Sequence, residues 1–347
     1  MPMPGEAAAM AQGRQMKPAG KSLWKSISSK SWWPATKRTL VVVFFVLVLS
    51  LIAQQAREVE WSAVLSSVRA YPLHTLLIAA SLVVGSYAMY SSYDLVARWH
   101  LGHRVPVVSV VLTGFIAYAF NLSLGAWLGA VALRYRLYTR LGLTPDVTTR
   151  ILGLSLVTNW LGYCFMAGAV FLLYPLDLPP SWKLGNTGLQ LVGAALLLLV
   201  AAYLALCWFA RQRTWHVRGH AVELPGGKMA LVQLALSSVN WLLVAGVVYV
   251  LLGGKVDYAS TLSVLLLAAV AGLITRVPAG LGVLEGVFVA LLSHRMAEGA
   301  LLAGLLVYRA LYQLVPLALA AGLLFYVDSR AKAGAGSAVP ATPRVAP

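Results

Sequence analysis

Charge is scarce in this sequence, and acid is scarcer still. Of 347 residues 11% are charged and only 11 are Asp or Glu, against 60% hydrophobic residues. A soluble globular domain carries about 25% charged residues, so these figures exclude a water-soluble fold for most of the chain. No polar stretch is long enough to fold as a separate soluble domain. Cysteine is nearly missing: Cys164 and Cys207 each lie inside an apolar run and read as packing residues, not as a disulfide. HExxH, P-loop, GxSxG and Rossmann motifs are all lacking, and no pair of carboxylates stands out as catalytic. Asp177 and Asp257 sit in short turns near Pro, Gly and Lys and read as solvated. Nothing in the sequence calls for a cofactor. His216 and His220 are four apart in a basic loop, but without a carboxylate or Cys at ligand spacing they read as a solvated pair and not as a metal site.

What the sequence does have is long apolar blocks, with a mean hydropathy of +0.78. A helix needs roughly 20 apolar residues to cross the hydrocarbon. Backbone groups in lipid must bond within their own segment, so such blocks are helices. Full spans are expected at 39–55, 73–93, 151–174, 187–209, 229–252 and 302–327. Residues 1–38 are polar and basic and form a flexible cytoplasmic arm; 39–328 form the transmembrane domain; 329–347 form a flexible cytoplasmic tail. No convincing cleavage site follows the first apolar block, which is therefore retained as a helix. The arm's SLWKSISSKSWW stretch is somewhat amphipathic and suits an anionic leaflet.

Two further apolar stretches, 105–133 and 260–293, are irregular. Asn121, Gly125 and Gly129 interrupt the first. Arg276, Pro278, Gly280 and Gly282 interrupt the second. Proline removes a donor and glycine admits backbone that side chains forbid, so both stretches are expected to be broken or re-entrant helices. The charge pattern agrees. If each enters and leaves on one side, regions 1–38, 94–104, 134–150, 210–228 and 328–347 lie inside and hold 20 of the 27 Lys and Arg. Five (Arg57, Arg69, Lys183, Lys255 and Arg295) lie outside, and Arg276 and Arg309 lie within the membrane. This is the positive-inside asymmetry. It also explains the net charge of +16 without invoking nucleic acid. The arms of the first unit would be about 14 residues each, ~21 Å long.

The expected fold is therefore all-α and polytopic, with six full spans and two broken units. A helix, a broken unit and a helix over 73–174 face the same order over 229–327 in opposite orientation. Such inverted repeats with discontinuous helices mark transporters. Both units contain GxxxG, at 125–129 and 282–286, although small residues also serve ordinary helix packing.

Arg276 and Glu285 are the strongest polar signals. A charge at mid-bilayer costs about 2.5–3.5 kcal/mol on the insertion scale, so the pair faces protein, water or a polar ligand. It either staples the break or holds an anion, for which arginine's fork is suited. Arg309 either snorkels outward or turns into the same polar zone, with Tyr308 and Tyr312 beside it. Arg134, Arg136, Tyr135 and Tyr138 stand at the mouth of the first unit, as a positive-inside surface or as a site gathering lipid phosphate. Asn159 and Asn240, each followed by Trp, suit interhelical hydrogen bonds.

Three segments carry a family resemblance: NLSLGAWLGAVALRYRLYTRLGL from Asn121, ITRVPAGLGVLEGVFVALL from Ile274 and VYRALYQLVPLALA from Val307. Together they resemble the YbhN-like family of bacterial inner-membrane proteins, related to the transmembrane domain of lysylphosphatidylglycerol synthetase/flippase, over roughly residues 40–328. The resemblance implies a domain that binds or translocates lipid, without the soluble synthetase domain that aminoacyl transfer needs. The family's Pro-Gly-Gly-x-Gly-x-x-Glu pattern falls on Pro278, Ala279, Gly280, Gly282 and Glu285, and Ala279 is the departure. The family's Arg-Tyr-type segments fall on Arg134–Tyr138 and Arg309–Tyr312.

The functional expectation is a transporter of an anionic phospholipid or polyprenyl-linked lipid in the bacterial inner membrane. A membrane-embedded glycosyl- or headgroup-transferase and a non-catalytic scaffold are the alternatives. Partners are membrane lipids, anionic by the charge balance, and no nucleic acid; self-association is left open. The N-terminus, the 134–150 loop and the C-terminus are predicted to be cytoplasmic. A single cysteine placed at Thr144 in a Cys-free background should resist an impermeant maleimide in intact cells. Labelling from outside would contradict the first re-entrant assignment.

Overall fold

The computed structural model describes residues 61–174, 176, 185–210, 214–217, 220–275 and 280–336, with no side-chain statement at 61, 63, 64, 128, 214–217, 220–223 and 330–336. The expected first span at 39–55 and the break residues Arg276, Pro278 and Ala279 lie outside the described residues. The described chain is helical almost throughout. After a short helix α1 (Trp61–Ala70) come α2 (Leu73–Leu101), α3 (Val107–Leu124), a π-helical turn (Trp127–Ala132) running into α4 (Leu133–Arg140), α5 (Pro145–Leu173) and α6 (Asn186–Phe209). A small hairpin of β1 (Thr214–Val217) and β2 (His220–Glu223) follows, and then α7 (Gly227–Leu251), α8 (Tyr258–Thr275), α9 (Val283–Leu292), α10 (Glu298–Arg309), a second π-helical turn (Ala310–Leu314) and α11 (Val315–Gly336).

Seven of these helices are long and apolar enough to cross a membrane: α2, α3, α5, α6, α7, α8 and the continuous run Glu298–Ser329. The expected full spans among the described residues coincide with helices. The differences are at the ends. α2 continues to Leu101, where Gly102 takes the left-handed conformation (φ 66°) and bonds back to Arg98 O. The last helix runs to Gly336. The basic loop after α6 forms the antiparallel hairpin, with His216 opposite Ala221 and Val217 opposite His220. Short apolar spacing gave no strand signal there.

Both irregular stretches are hairpins of unequal arms. In the first, α3 has 18 residues and stops at Gly125, which needs φ 85°. The chain then returns as the π turn of 6 residues and α4 of 8. At ~1.5 Å per residue these arms reach about 27 and 21 Å. Gly129 has a different part from Gly125. A Cβ there would stand 2.0 Å from Asn121 N and 2.4 Å from Phe120 C, so only glycine lets the returning arm lie directly on the α3 backbone. In the second unit, α8 and α9 have 18 and 10 residues and pack against each other. Gly280 (φ 59°) and Gly282 (φ 76°) shape the end of the break that is described.

Local chemistry explains the other boundaries. α5 begins with Thr144 capping Val147 N, Pro145 in the first turn and Asp146 beside the helix N-terminus. Asp257 caps α8 through Ser260 N at 2.8 Å and meets Arg295 at 2.8 Å, which ties together the two ends of the second hairpin. Burial alone would push the Asp257 carboxyl up, but the Ser260 N–H and hydroxyl, then Arg295, outweigh it and hold the group below the usual carboxylate range. The second π turn has a proline behind it. Pro316 has no N–H, so the carbonyl of Tyr312 loses the donor an α-helix would give it. The Tyr87 hydroxyl on α2 donates to that carbonyl at 2.9 Å.

The centre is built on α2 and α7 lying side by side, with α5 packed on both and on α6. Small residues set these approaches. A Cβ at Gly162 would meet Ser237 Oγ at 2.2 Å, and a Cβ at Gly168 or Gly193 would stand 3.0 Å from the other's carbonyl oxygen across the α5–α6 contact. Gly129→Ala should therefore open the first hairpin and lose about 1–3 kcal/mol of stability. Gly153→Ala, with nothing within 4 Å of its Cβ, is the control and should be neutral or slightly stabilising. Thermal unfolding in detergent measures both. Equal stability of the two variants would contradict the close-return geometry.

Candidate functional site

The second break is closed by an arginine. Gly282 starts α9, and its left-handed turn puts Glu285 in the first helical turn, where a carboxylate is favoured by the helix N-terminus. Arg309, the last residue of α10, reaches this carboxylate in fork geometry: Nε to Oε1 is 2.5 Å and Nη2 to Oε2 is 2.9 Å. Its Nη2 also donates to Gly280 O at 2.8 Å. One guanidinium thus satisfies a carboxylate and a carbonyl left over by the break. The Arg309 side chain is 9% exposed and that of Glu285 21%, so this pair is not completely enclosed. Arg309 turns inward and does not snorkel. The carboxylate expected to pair with Arg276 is engaged by Arg309.

A second ion pair lies in the first unit and is fully buried. Arg134 on α4 holds Asp94 on α2 through Nε–Oδ2 at 3.0 Å and Nη2–Oδ1 at 3.1 Å. Tyr138 donates to the same carboxylate at 2.9 Å, and Arg134 Nη2 contacts Ser155 on α5 at 3.3 Å. Arg134 is 1% exposed and Asp94 0%. Arg134 is therefore no part of an exposed mouth: it binds α2, α4 and α5 together. Its neighbour Arg136 faces elsewhere and meets Asp328 on α11 at 2.7 Å, and Arg140 joins the same carboxylate.

Tyrosines connect the two buried pairs. The Arg134 guanidinium lies 5.9 Å from the Tyr90 ring centre. Tyr90 stacks on Tyr118 at 3.6 Å, and Tyr312 stacks on Tyr308 at 5.2 Å. Tyr118 and Tyr312 share a hydrogen bond at 2.9 Å between their hydroxyls. Ser86 bonds the Tyr312 hydroxyl at 2.7 Å and donates to Asn240 Oδ1 at 2.7 Å, which ties α7 into the cluster. Asn240 thus makes the interhelical bond expected of it, whereas Asn159 serves through its backbone carbonyl, which accepts from Ser237 at 3.1 Å.

The structure brings Glu285, Gly280 and Arg309 together, with Tyr312 in the next turn. It joins Arg134 to Tyr138 and places Arg136 on a separate partner. Asn121, Gly125 and Gly129 lie at the first tip, where Asn121 O accepts from Gly125 N at 2.9 Å. Asp94, Asp328, Tyr87, Tyr90 and Tyr118 were not anticipated. Both acids begin segments that the charge count treats as loops, although the helices run through them. An acid four residues from both Tyr90 and Arg98, in an unbroken apolar pattern, was the available signal for Asp94. Among the described residues no group of three His, Cys, Asp or Glu side chains could hold a metal. Cys164 and Cys207 form no disulfide.

Comparison with known proteins agrees with this architecture. The model of the lysylphosphatidylglycerol synthase TM region matches residues 38–320. Inner membrane protein YbhN of Escherichia coli (strain K12) is 43% identical over 301 residues, covering 86% of this chain and 95% of that protein. Uncharacterized protein slr0712 of Synechocystis sp. is 30% identical over 276 residues, covering 79% and 85%. With its apolar helices, its two interrupted units and these matches, the chain is a membrane-integral member of the lysylphosphatidylglycerol synthase transmembrane-region family, of the YbhN-like kind.

Proposed function

We propose that this protein binds an anionic lipid headgroup at its interrupted helices and moves the lipid between the leaflets of the inner membrane. The observation that carries the reading is the Arg309–Glu285–Gly280 clamp at the second break. A forked arginine beside unwound backbone is the chemistry that recognises a phosphate, and irregular backbone at membrane depth is tolerated where protein or a polar cavity covers it. The partly accessible carboxylate gives the arginine a partner that it can exchange for a headgroup. Arg276 precedes Gly280 by four residues and joins the proposal through its sequence position alone.

Two features support lipid movement over group transfer. Asp94, Glu285 and Asp328 are each paired with arginine rather than standing as uncommitted acids. The helix–hairpin–helix order occurs twice, and the tyrosine cluster joins the two halves through hydrogen bonds. Polar exposure alternating between the two breaks is the mechanism these features suit.

The test separates a headgroup site from a simple staple. Arg309→Gln or Glu285→Gln alone leaves an unpaired charge and should cost about 3–5 kcal/mol. The double change should recover most of that stability in detergent. In liposomes with leaflet-resolved lipid, the double variant should remain at least ~10-fold slower than wild type, because the forked donor is gone. Arg309→Lys should be intermediate. Recovery of both stability and full lipid movement by the double variant would make the pair structural and overturn the proposal.

A further inference from the structure

The contact between α11 and the first broken unit is an unusual arrangement for a salt bridge. Asp328 stands near the end of the last apolar run, with its side chain 10% exposed. Arg136 Nη2 meets its Oδ2 at 2.7 Å, and Arg140 Nη1 meets its Oδ1. The two arginines lie one turn apart on the same face of α4 and grip the two carboxylate oxygens separately. Two guanidiniums thus share the one Asp328 carboxylate. The Arg140 side chain is 36% exposed, so the triad opens to the surface at one edge. The neighbouring Arg134 is saturated by Asp94 and takes no part.

Spacing and charge match an oxyanion with two or more terminal oxygens. The phosphodiester of a phospholipid offers what the Asp328 carboxylate offers, two terminal oxygens sharing one negative charge. Arginine pairs bind phosphate through the same parallel donors. We infer that Asp328 is a tethered stand-in for a lipid phosphate: Arg136 and Arg140 form an anionic-headgroup site on the first broken unit, which the end of α11 occupies until a headgroup displaces it. This rests on the lipid-handling reading above and adds a docking site separate from the Arg309 clamp. The charge pattern of the sequence assigns this end to the cytoplasmic side, so the headgroup comes from the inner leaflet. Displacement removes the ion-pair tie between α4 and α11, the helix that follows the π turn carrying Tyr312.

The inference is tested by binding, independently of translocation. The full chain in neutral detergent is titrated with short-chain phosphatidylglycerol, short-chain phosphatidylcholine and inorganic phosphate, and thermal unfolding is followed. Asp328→Asn removes the competitor and should lower the phosphatidylglycerol concentration for half-maximal stabilisation on the order of tenfold. Arg136→Gln with Arg140→Gln should abolish the response, and phosphatidylcholine should give none. A response to phosphatidylglycerol alone assigns a lipid headgroup. An equal response to inorganic phosphate assigns the same site to soluble phosphate and overturns the lipid part of the inference. An unchanged midpoint in Asp328→Asn overturns the stand-in role. Should that variant not fold, wild-type protein decides: phosphatidylglycerol, but not phosphatidylcholine, should protect Arg140 from phenylglyoxal, read by mass spectrometry. Equal protection by both lipids, or by neither, overturns the site. Lipid binding here with no movement between leaflets would leave this site standing and remove the transport reading instead.

Discussion

A helix that stops inside hydrocarbon exposes backbone groups that lipid cannot bond. Three features among the described residues answer that constraint. At the second break Arg309 supplies donors to Gly280 O and to the Glu285 carboxylate. At the first, Gly125 makes the turn and Gly129 lets the returning arm lie against α3. At Pro316 a third local defect arises, and the Tyr87 hydroxyl satisfies the carbonyl it leaves. At the second break and at Pro316 the solution is a side chain from another helix, so these two defects become contacts that hold the bundle together.

The same economy of polar groups explains the interior. Membrane helices gain little from apolar contact with each other, because lipid offers the same contact. Here glycine approaches, two deeply placed arginine–carboxylate pairs and a tyrosine–serine–asparagine network supply the specificity. Buried pairs of this kind contribute little net stability when intact but cost several kcal/mol when one partner is lost. That asymmetry fixes Arg134 in place. Arg309 differs in having a less deeply buried partner, the Glu285 side chain being 21% exposed.

Much of this was legible in the sequence. The full spans follow from block length, and the two interruptions from Gly125, Gly280 and Gly282, all of which adopt positive φ. Glu285 and Arg309 were visible as charges in apolar surroundings. The pairing was less legible. Glu285 is closer in sequence to Arg276, and only the return of α10 past the break brings Arg309 to it. Asp94 and Asp328 were hidden because apolar block length ends a span too early when a helix extends into polar residues. The tyrosines were hidden because an aromatic in an apolar run looks the same whether it faces lipid, core or a hydrogen-bond partner. Gly129 looked like a break residue, since spacing cannot tell a glycine that turns the chain from one that admits a neighbour.

The central claim is that Arg309 closes the second interrupted helix and that a lipid headgroup exchanges into that closure. An experimental density map of the full chain in nanodiscs containing phosphatidylglycerol tests it most directly. The account predicts helices interrupted at Gly125 and before Gly282, with headgroup density within hydrogen-bonding distance of the Arg309 guanidinium. Unbroken helices through either position, or lipid ordered only on the outer surface of α6 and α11 with none near Arg309, would contradict it.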